Sequence, residues 1–342
     1  MLNRFKNAYI GPTGAGKGNF VAEIVVLRLS PLCESREISI QNFSRATMKA
    51  AVGIDLGGTQ IKGVLITREG TVLRRDVRAT QDGDGGRETW AETIRALVEE
   101  LEKDAPVGLA APGLAARDRR AIAFLPGRLH GIEGLDWTEF LGRTRIVPVT
   151  NDAHASLLGE AWLGAARGLR DTLMLTLGTG VGGAILADGK LLRGHLGRAG
   201  HFGHICLDVH GPPSITGMPG ALECAIGNWN IRERTGGRFE TTHALIAAYR
   251  AGDDFAREVW LKSIRALACA LASFINLLDP EAIILGGGIG QAGDALFHPL
   301  REELAKVEWR PAGQSVSLLP AELGEWAGAI GAAREALSIA SD

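Results

Sequence analysis

The stretch Ala51-Val52-Gly53-Ile54-Asp55-Leu56-Gly57-Gly58-Thr59-Gln60-Ile61-Lys62-Gly63 decides how the rest of the chain is read. An apolar run ends in an acid, two glycines and a threonine make a turn, and a second β-prone run from Ile61 to Thr67 leads away. Such a hairpin tip suits an anion: Gly57 and Gly58 let backbone N–H groups approach a phosphate, and Thr59 adds a hydroxyl. The Asp55 carboxylate cannot face phosphate directly and calls for a divalent cation or its water shell in between. Taken alone, the stretch fits an ordinary tight hairpin equally well.

Outward from this turn, strands are expected at 51–56, 60–67 and 71–79, then an amphipathic helix near 87–103 on which Ile94, Leu97, Val98 and Leu101 share a face. Val107 to Ala110 reads as a buried strand ending at Ala111-Pro112-Gly113, and Ile146 to Val149 as another. Thr150-Asn151-Asp152 opens a helix running to about Gly164, where Asn and Asp also suit capping. From Leu173 the chain echoes its first half: Leu175 to Ala184 repeats the strand, glycine turn, strand layout, with Leu177-Gly178 standing where Leu56-Gly57 stood. A stretch rich in glycine and histidine from Gly194 to Glu223 comes next, then helices near 242–250 and 254–277. A strand from Ala282 to Leu285 ends in Gly286-Gly287-Gly288-Ile289-Gly290. A final helix, about 323–338, carries Ala327, Gly328, Gly331 and Ala332 along one side, suited to close packing. The turns at 57–59 and 178–183 could hold a polyphosphate across a cleft, and the turn at 286–290 would let a flat ring lie against bare backbone.

At 342 residues the chain has room for two domains with cores of their own. Its 37 basic and 39 acidic residues, net −2, give no reason to expect nucleic acid or an anionic membrane surface as partner. Cys33, Cys206, Cys224 and Cys269 form no CxxC pair, and with no signal-peptide pattern this points to a reducing, cytoplasmic setting. No apolar run is read as long enough to cross a bilayer; Phe20 to Leu29 is broken by Glu23 and Arg28. Residues 1–47 differ in pattern from the rest of the chain. Gly11 to Gly18 nearly matches a P-loop, but Gly18 stands where a magnesium-binding Ser or Thr belongs, and no second acid follows on a strand before Ser44. This segment is expected to be a functionally silent extension translated ahead of a start at Met48, a working P-loop being the alternative.

On Asp55 to Thr59 with Lys62, Ala111-Pro112-Gly113, Asn151-Asp152-Ala153, Leu177 to Gly183, Gly203-His204, Leu222-Glu223 and Leu285 to Ile289, the sequence resembles the ROK family of sugar kinases and regulators. That family lies within the superfamily of hexokinase, actin and heat-shock-chaperone ATPases, and the resemblance spans 51 to about 335. It implies an α/β fold of two RNase H-like domains flanking a cleft, residues 48–158 with 323–342 making one and 159–322 the other. It implies ATP-dependent phosphorylation of a hexose, glucose foremost, with Asp152 as the base that takes the proton of a sugar hydroxyl, usually on C6. Sugar contacts then fall to Pro112, Gly113, Asn151, His201, His204 and Glu223. Contacts to ATP fall to Asp55, Gly57, Gly58, Thr59, Lys62, Gly178, Thr179, Gly180, Gly286, Gly287 and Gly288, with Mg2+ held by Asp55 through water. Mannose, fructose, N-acetylglucosamine and N-acetylmannosamine are alternative substrates, and polyphosphate an alternative donor. A sugar-responsive regulator is the alternative of another class, but such proteins carry a helix-turn-helix ahead of the kinase-like part, and residues 1–47 show neither its two-helix pattern nor a basic surface. Family members commonly form homodimers.

Two departures stand out. The family's zinc cysteines are absent from Ser214-Ile215-Thr216-Gly217-Met218-Pro219-Gly220-Ala221-Leu222-Glu223, although the spacing is kept. Hydroxyls that do not ionise near neutral pH, with Ala221, exclude a zinc site of the usual type. A substitute set from His204, Cys206, His210 and Cys224 matches no common template. Second, His201 stands where the family has a sugar-touching glutamate, which exchanges an anionic double acceptor for a ring with one donor and one acceptor. His201 either binds a hydroxyl or fills space as a partly buried histidine.

Overall fold

The computed structural model describes residues 50–82 and 87–339; the extension of residues 1–47, with its P-loop-like stretch, lies outside the described residues. The first half comprises β1 (Ala50–Leu56), β2 (Gln60–Thr67), β3 (Val72–Ala79), α1 (Arg87–Glu102), β4 (Val107–Ala111), β5 (Leu114–Ala115), β6 (Ile122–Phe124), α2 (Trp137–Phe140), β7 (Val149–Asn151) and α3 (Asp152–Leu163). The second comprises β8 (Thr172–Leu177), β9 (Val181–Ala187), β10 (Lys190–Leu191), α4 (Leu222–Ile226), α5 (Ile231–Arg234), α6 (Thr242–Arg250), α7 (Asp254–Leu278), β11 (Ala282–Gly286), α8 (Gly287–Gly290), α9 (Asp294–Ala305), β12 (Ser317–Pro320) and α10 (Ala327–Ile339).

The echo in the sequence is an echo in topology. The first sheet runs β3-β2-β1-β4-β7 and the second β10-β9-β8-β11-β12. In each, the opening hairpin pairs antiparallel and the two later strands add in parallel. Strand alternation gives each sheet two apolar faces. Val52, Ile54, Leu56 and Leu109 face α1 in one core, in which Ile94, Leu97, Val98 and Leu101 are all buried. Leu173, Leu175, Leu177, Ile283 and Leu285 face α7 and α9 in another. The alternate residues Ala51, Val64 and Ile66 meet α10, and Met174, Ala184 and Ile284 meet α3.

Helices α3 and α10 pack on each other, α10 also on β1 and β4, and α3 also on β8 and β9. Their small residues make this possible. A Cβ on Gly53 would lie 1.9 Å from the Ala329 carbonyl oxygen, and one on Gly331 would lie 1.7 Å from that of Ala155. The buried Glu160 carboxylate locks the end of α3 by accepting N–H bonds from Ala165 (2.8 Å), Glu322 (3.2 Å) and Leu323 (2.9 Å). It thereby ties α3 to the segment returning from β12 to α10.

Three expectations are corrected. The strand expected at Ile146 to Val149 is displaced to Val149–Asn151: Ile146 is exposed, and pairing with β4 begins only at Leu109 opposite Val149. The last helix begins at Ala327, after a 3₁₀ turn at Gly324–Trp326. Finally, α7 is, by length and composition alone, long and apolar enough to cross a bilayer. Its apolar stripe of Trp260, Ile264, Leu267, Leu271 and Phe274 is instead buried in the core of the second sheet.

Candidate active site

Two cavities hold most of the expected site residues, and the start of α3 lines one of them. The smaller, about 630 Å³, is lined from the first half by Asp55, Gly57, Lys62, Asp152 and Ser156, and from the second by Thr176 and Gly286 to Gly288. The larger, about 1080 Å³, is lined by Gly113, Thr179, Gly180, His201, His204 and Glu223, with a broad apolar rim.

Local sequence explains the placement. Asn151 ends β7 and caps α3, its Oδ1 accepting from the N–H groups of Ala153 (3.0 Å) and His154 (3.2 Å). Asp152 therefore begins the helix, where its own Oδ1 accepts from Ala153 N (2.8 Å) and where a carboxylate is favoured by the helix dipole. Asp152 lines the smaller cavity and lies close enough to Asp55 and to His201 for its charge to act on both. Asp55 is held at the end of β1, with Gly328 of α10 against it; a Cβ there would lie 2.6 Å from Oδ2. Burial first, then the Asp152 charge, push the Asp55 carboxyl up to about 7, and Lys62 opposes them. An enclosed carboxylate raised in this way has room electrostatically for a cation. Lys62 stands opposite Asp55 in the β1–β2 register and also pairs with Glu325 at 3.1 Å.

At the larger cavity, buried Glu223 lies 3.4 Å from His204 Nδ1, and its carboxylate holds the His204 imidazole above its usual range. His201 stacks near His204 with ring centroids 6.1 Å apart; burial, then His204, lower its basicity. One residue that sequence reading missed is His154, buried in the first turn of α3. Its Nε2–H donates to the Ala199 carbonyl (2.8 Å), and burial pushes its pKa down to about 4.

Several expected residues lie elsewhere. Pro112 and Asn151 are buried and line neither cavity; Asn151 Nδ2 instead donates to the Gly113 carbonyl (3.0 Å) and holds that turn. Gly58 and Thr59 are exposed, and Gly57 N–H closes the turn on Gln60 O (2.9 Å). Thr179 and Gly180 line the larger cavity, not the smaller, and Gly178 lines neither. Gly287, at φ +79°, packs on the backbone of Leu177, so the third glycine turn braces the second. Among the missed lining residues, Thr176 had a signal in the sequence: it occupies in β8 the place of Asp55 in β1.

The segment that replaces the zinc motif is a backbone-held loop. Pro213 bridges Pro219, Ser214 N donates to Met218 O (2.8 Å), and the hydroxyls of Ser214 and Thr216 lie 3.0 Å apart. Among the described residues no three His, Cys, Asp or Glu side chains converge to hold a metal ion, and Cys206, Cys224 and Cys269 are unpaired.

Residues 51–338 match the ROK family. The chain belongs to the ROK family. Among its ROK relatives is the glucokinase of Thermotoga maritima, 33% identical over 304 residues that cover 82% of this chain and 95% of that one. The N-acetylmannosamine kinase of Escherichia fergusonii is 32% identical over 287 residues, covering 82% and 96%. A ROK glucokinase from Streptomyces griseus, solved in complex with glucose and AMPPNP, superimposes with a TM-score of 0.69 at 29% identity, covering 84% of this chain and 99% of that one. With these ROK enzymes the chain shares the two-domain, actin-like ATPase fold.

Proposed function

We propose that this sugar kinase transfers the γ-phosphate of ATP to the C6 hydroxyl of a hexose, glucose foremost, with Asp152 as base. The observation that supports the reading is that Asp152 lines the glycine-walled cavity while its charge reaches His201, which lines the second cavity with His204 and Glu223. In the 630 Å³ cavity, Gly57 and Gly286 to Gly288 offer the backbone along which phosphates lie, and Lys62 offers a positive charge. In the other, Glu223 and His204 hold sugar hydroxyls while Gly113 and Gly180 let the ring lie close. As the sugar oxygen bonds to phosphorus, its proton passes to Asp152 and ADP leaves. Base catalysis of this type contributes about two to four orders of magnitude.

Asp55, with the Asp152 charge acting on it, suits the Mg2+ that accompanies ATP: the two are like charges, and Lys62 opposes them. Bound there, the ion would neutralise charge on the phosphates. We read residues 48–158 with 323–342, and residues 159–322, as two bodies that close over the sugar and exclude water. The unpaired cysteines fit a cytoplasmic protein, and a homodimer remains the family's usual form.

The test is Asp152→Asn. ADP release should fall by about two to four orders of magnitude, while sugar binding by calorimetry stays within a fewfold; normal turnover would sink the assignment. A second reading, an N-acetylhexosamine kinase, draws on the similarity to N-acetylmannosamine kinase. One assay of ADP release over glucose, mannose, fructose and N-acetylated hexosamines separates the two.

A further inference from the structure

Between β10 and the 3₁₀ turn at Phe202–His204 runs an irregular segment, residues 192–201, which belongs by chain order to the second half. Its two ends are tied to β9. Leu192 N–H donates to Ile185 O (2.9 Å), and Gly200, at φ +88°, lies so close that a Cβ on it would sit 2.8 Å from Gly183 O. In between, Ala199 N–H closes a loop on Arg193 O (3.3 Å), and residues 194–197 make no backbone hydrogen bond among the described residues. The base of that loop is held from the first half. Arg193 Nη2 donates to Glu335 Oε2 on α10 (2.6 Å), and Ala199 O accepts from His154 Nε2 on α3 (2.8 Å). The segment brings His195, Leu196, Arg198, Ala199 and His201 to the lining of the larger cavity and nothing to that of the smaller one.

We infer that His154 is a positioning residue: by donating to the Ala199 carbonyl it fixes the segment that carries Arg198 and His201 against the helix that opens with Asp152. This rests on the kinase reading above and adds how the wall of the sugar cavity is aligned with the base. A carbonyl oxygen only accepts, so the imidazole keeps its proton on Nε2. Burial holds the pKa of the ring down to about 4, which leaves it neutral with that single donor. The ring also meets His201 edge-on, with centroids 6.5 Å apart, so one side chain touches the segment twice. His154 and Asp152 stand two residues apart in the first turn of α3, a turn capped by Asn151 on a helix packed against α10. Helix geometry therefore sets the donor relative to the base, and the hydrogen bond passes that setting to the cavity wall. Arg193, on Glu335, holds the other end of the same loop.

The test is steady-state ADP release by the wild type, His154→Leu, His154→Gln and Arg193→Met, with the best acceptor among glucose, mannose, fructose and N-acetylated hexosamines varied against ATP. Leucine keeps the apolar bulk and removes the donor, whereas glutamine supplies an N–H again. The hexose KM of His154→Leu should rise about five- to tenfold, the size of one lost hydrogen bond. Its KM for ATP should stay within about twofold, since the smaller cavity takes no residue from the segment. His154→Gln should bring the hexose KM back to within about threefold of the wild type. Arg193→Met leaves Glu335 paired with Arg119 at 3.1 Å, and should raise the hexose KM about threefold with the KM for ATP again unmoved. Should His154→Leu fail to fold, the two KM values of Arg193→Met decide in its place. A hexose KM unmoved by loss of the anchor, or both KM values raised alike, would overturn the inference and leave the kinase reading standing. Glutamine as impaired as leucine would overturn it too, because the bulk of the ring and not its donor would then be what counts. No ADP from the wild type with any of these hexoses would remove both readings together.

Discussion

The turn after β1 and the turn after β8 stand at equivalent places in two sheets of the same strand order, yet they open on different cavities. In the first, Asp55 faces Lys62 across the hairpin; in the second, Thr176 faces Gly182. Both Asp55 and Thr176 reach the 630 Å³ cavity, so one half brings it charge and the other a hydroxyl. The braces differ as well. The first turn is held by Thr80, whose N–H donates to Thr59 O (2.9 Å) and whose hydroxyl donates to Gly57 O (2.7 Å). The second accepts N–H bonds from Asn228 and Trp229 (2.9 Å each) and lies against Gly287. The same strand order thus presents an acid at one turn and a hydroxyl at the other.

The largest way to break this asymmetry is Asp55→Asn, which makes the first turn as neutral as the second. We expect kcat/KM to fall by about two to three orders of magnitude. Stability should move the other way. Because the folded-state pKa of Asp55 is raised from 3.8 to about 7, the folded protein holds this proton more tightly than the unfolded chain, and stability is lost as pH rises through that window. Asparagine escapes the loss, so without nucleotide the variant should melt above the wild type at pH 8, with the gap closing toward pH 4; coincident melting at pH 8 would refute the placement.

Next comes the brace of the second turn. Gly287→Ala forces a side chain to φ +79° with its Cβ 2.4 Å from Leu177 O, and should cost about 2–4 kcal/mol in denaturant unfolding. The first turn is less dependent on its own brace. Thr80→Val removes one hydroxyl bond to Gly57, which we expect to cost about 1 kcal/mol and to raise the KM for ATP a fewfold with sugar affinity unmoved. The smallest effect is reserved for Glu325→Gln. Its pair with Lys62 is solvent-exposed on the glutamate side, so unfolding free energy should change by less than about 0.5 kcal/mol; a larger loss would mean that Glu325 holds Lys62 in place for the first turn.

Much was determined by the sequence alone. The period-two runs of β1, β2, β8 and β11, the apolar face of α1 and the glycine turns are local patterns, and they foretold the strands and the echo between the two halves, because alternation and turn chemistry act over a few residues; the family came from the resemblance of the motifs. Asp152 was legible locally as a helix-opening acid, and as a candidate base only through the family resemblance. What only the tertiary structure decided is which turn serves which cavity. Thr179 and Gly180 go to the larger one because α4 brings Glu223 against them; Gly180 would carry a Cβ 3.0 Å from that carboxylate. Asn151 is drawn away by capping α3 and by the Gly113 carbonyl, two partners that a motif does not reveal. Nor could the sequence show that Phe124, Leu196, Ile215, Met218 and Trp229, spread over more than a hundred positions, line one cavity. Burial and solvent exposure are properties of the assembled layers, and a residue acquires them only when distant segments pack.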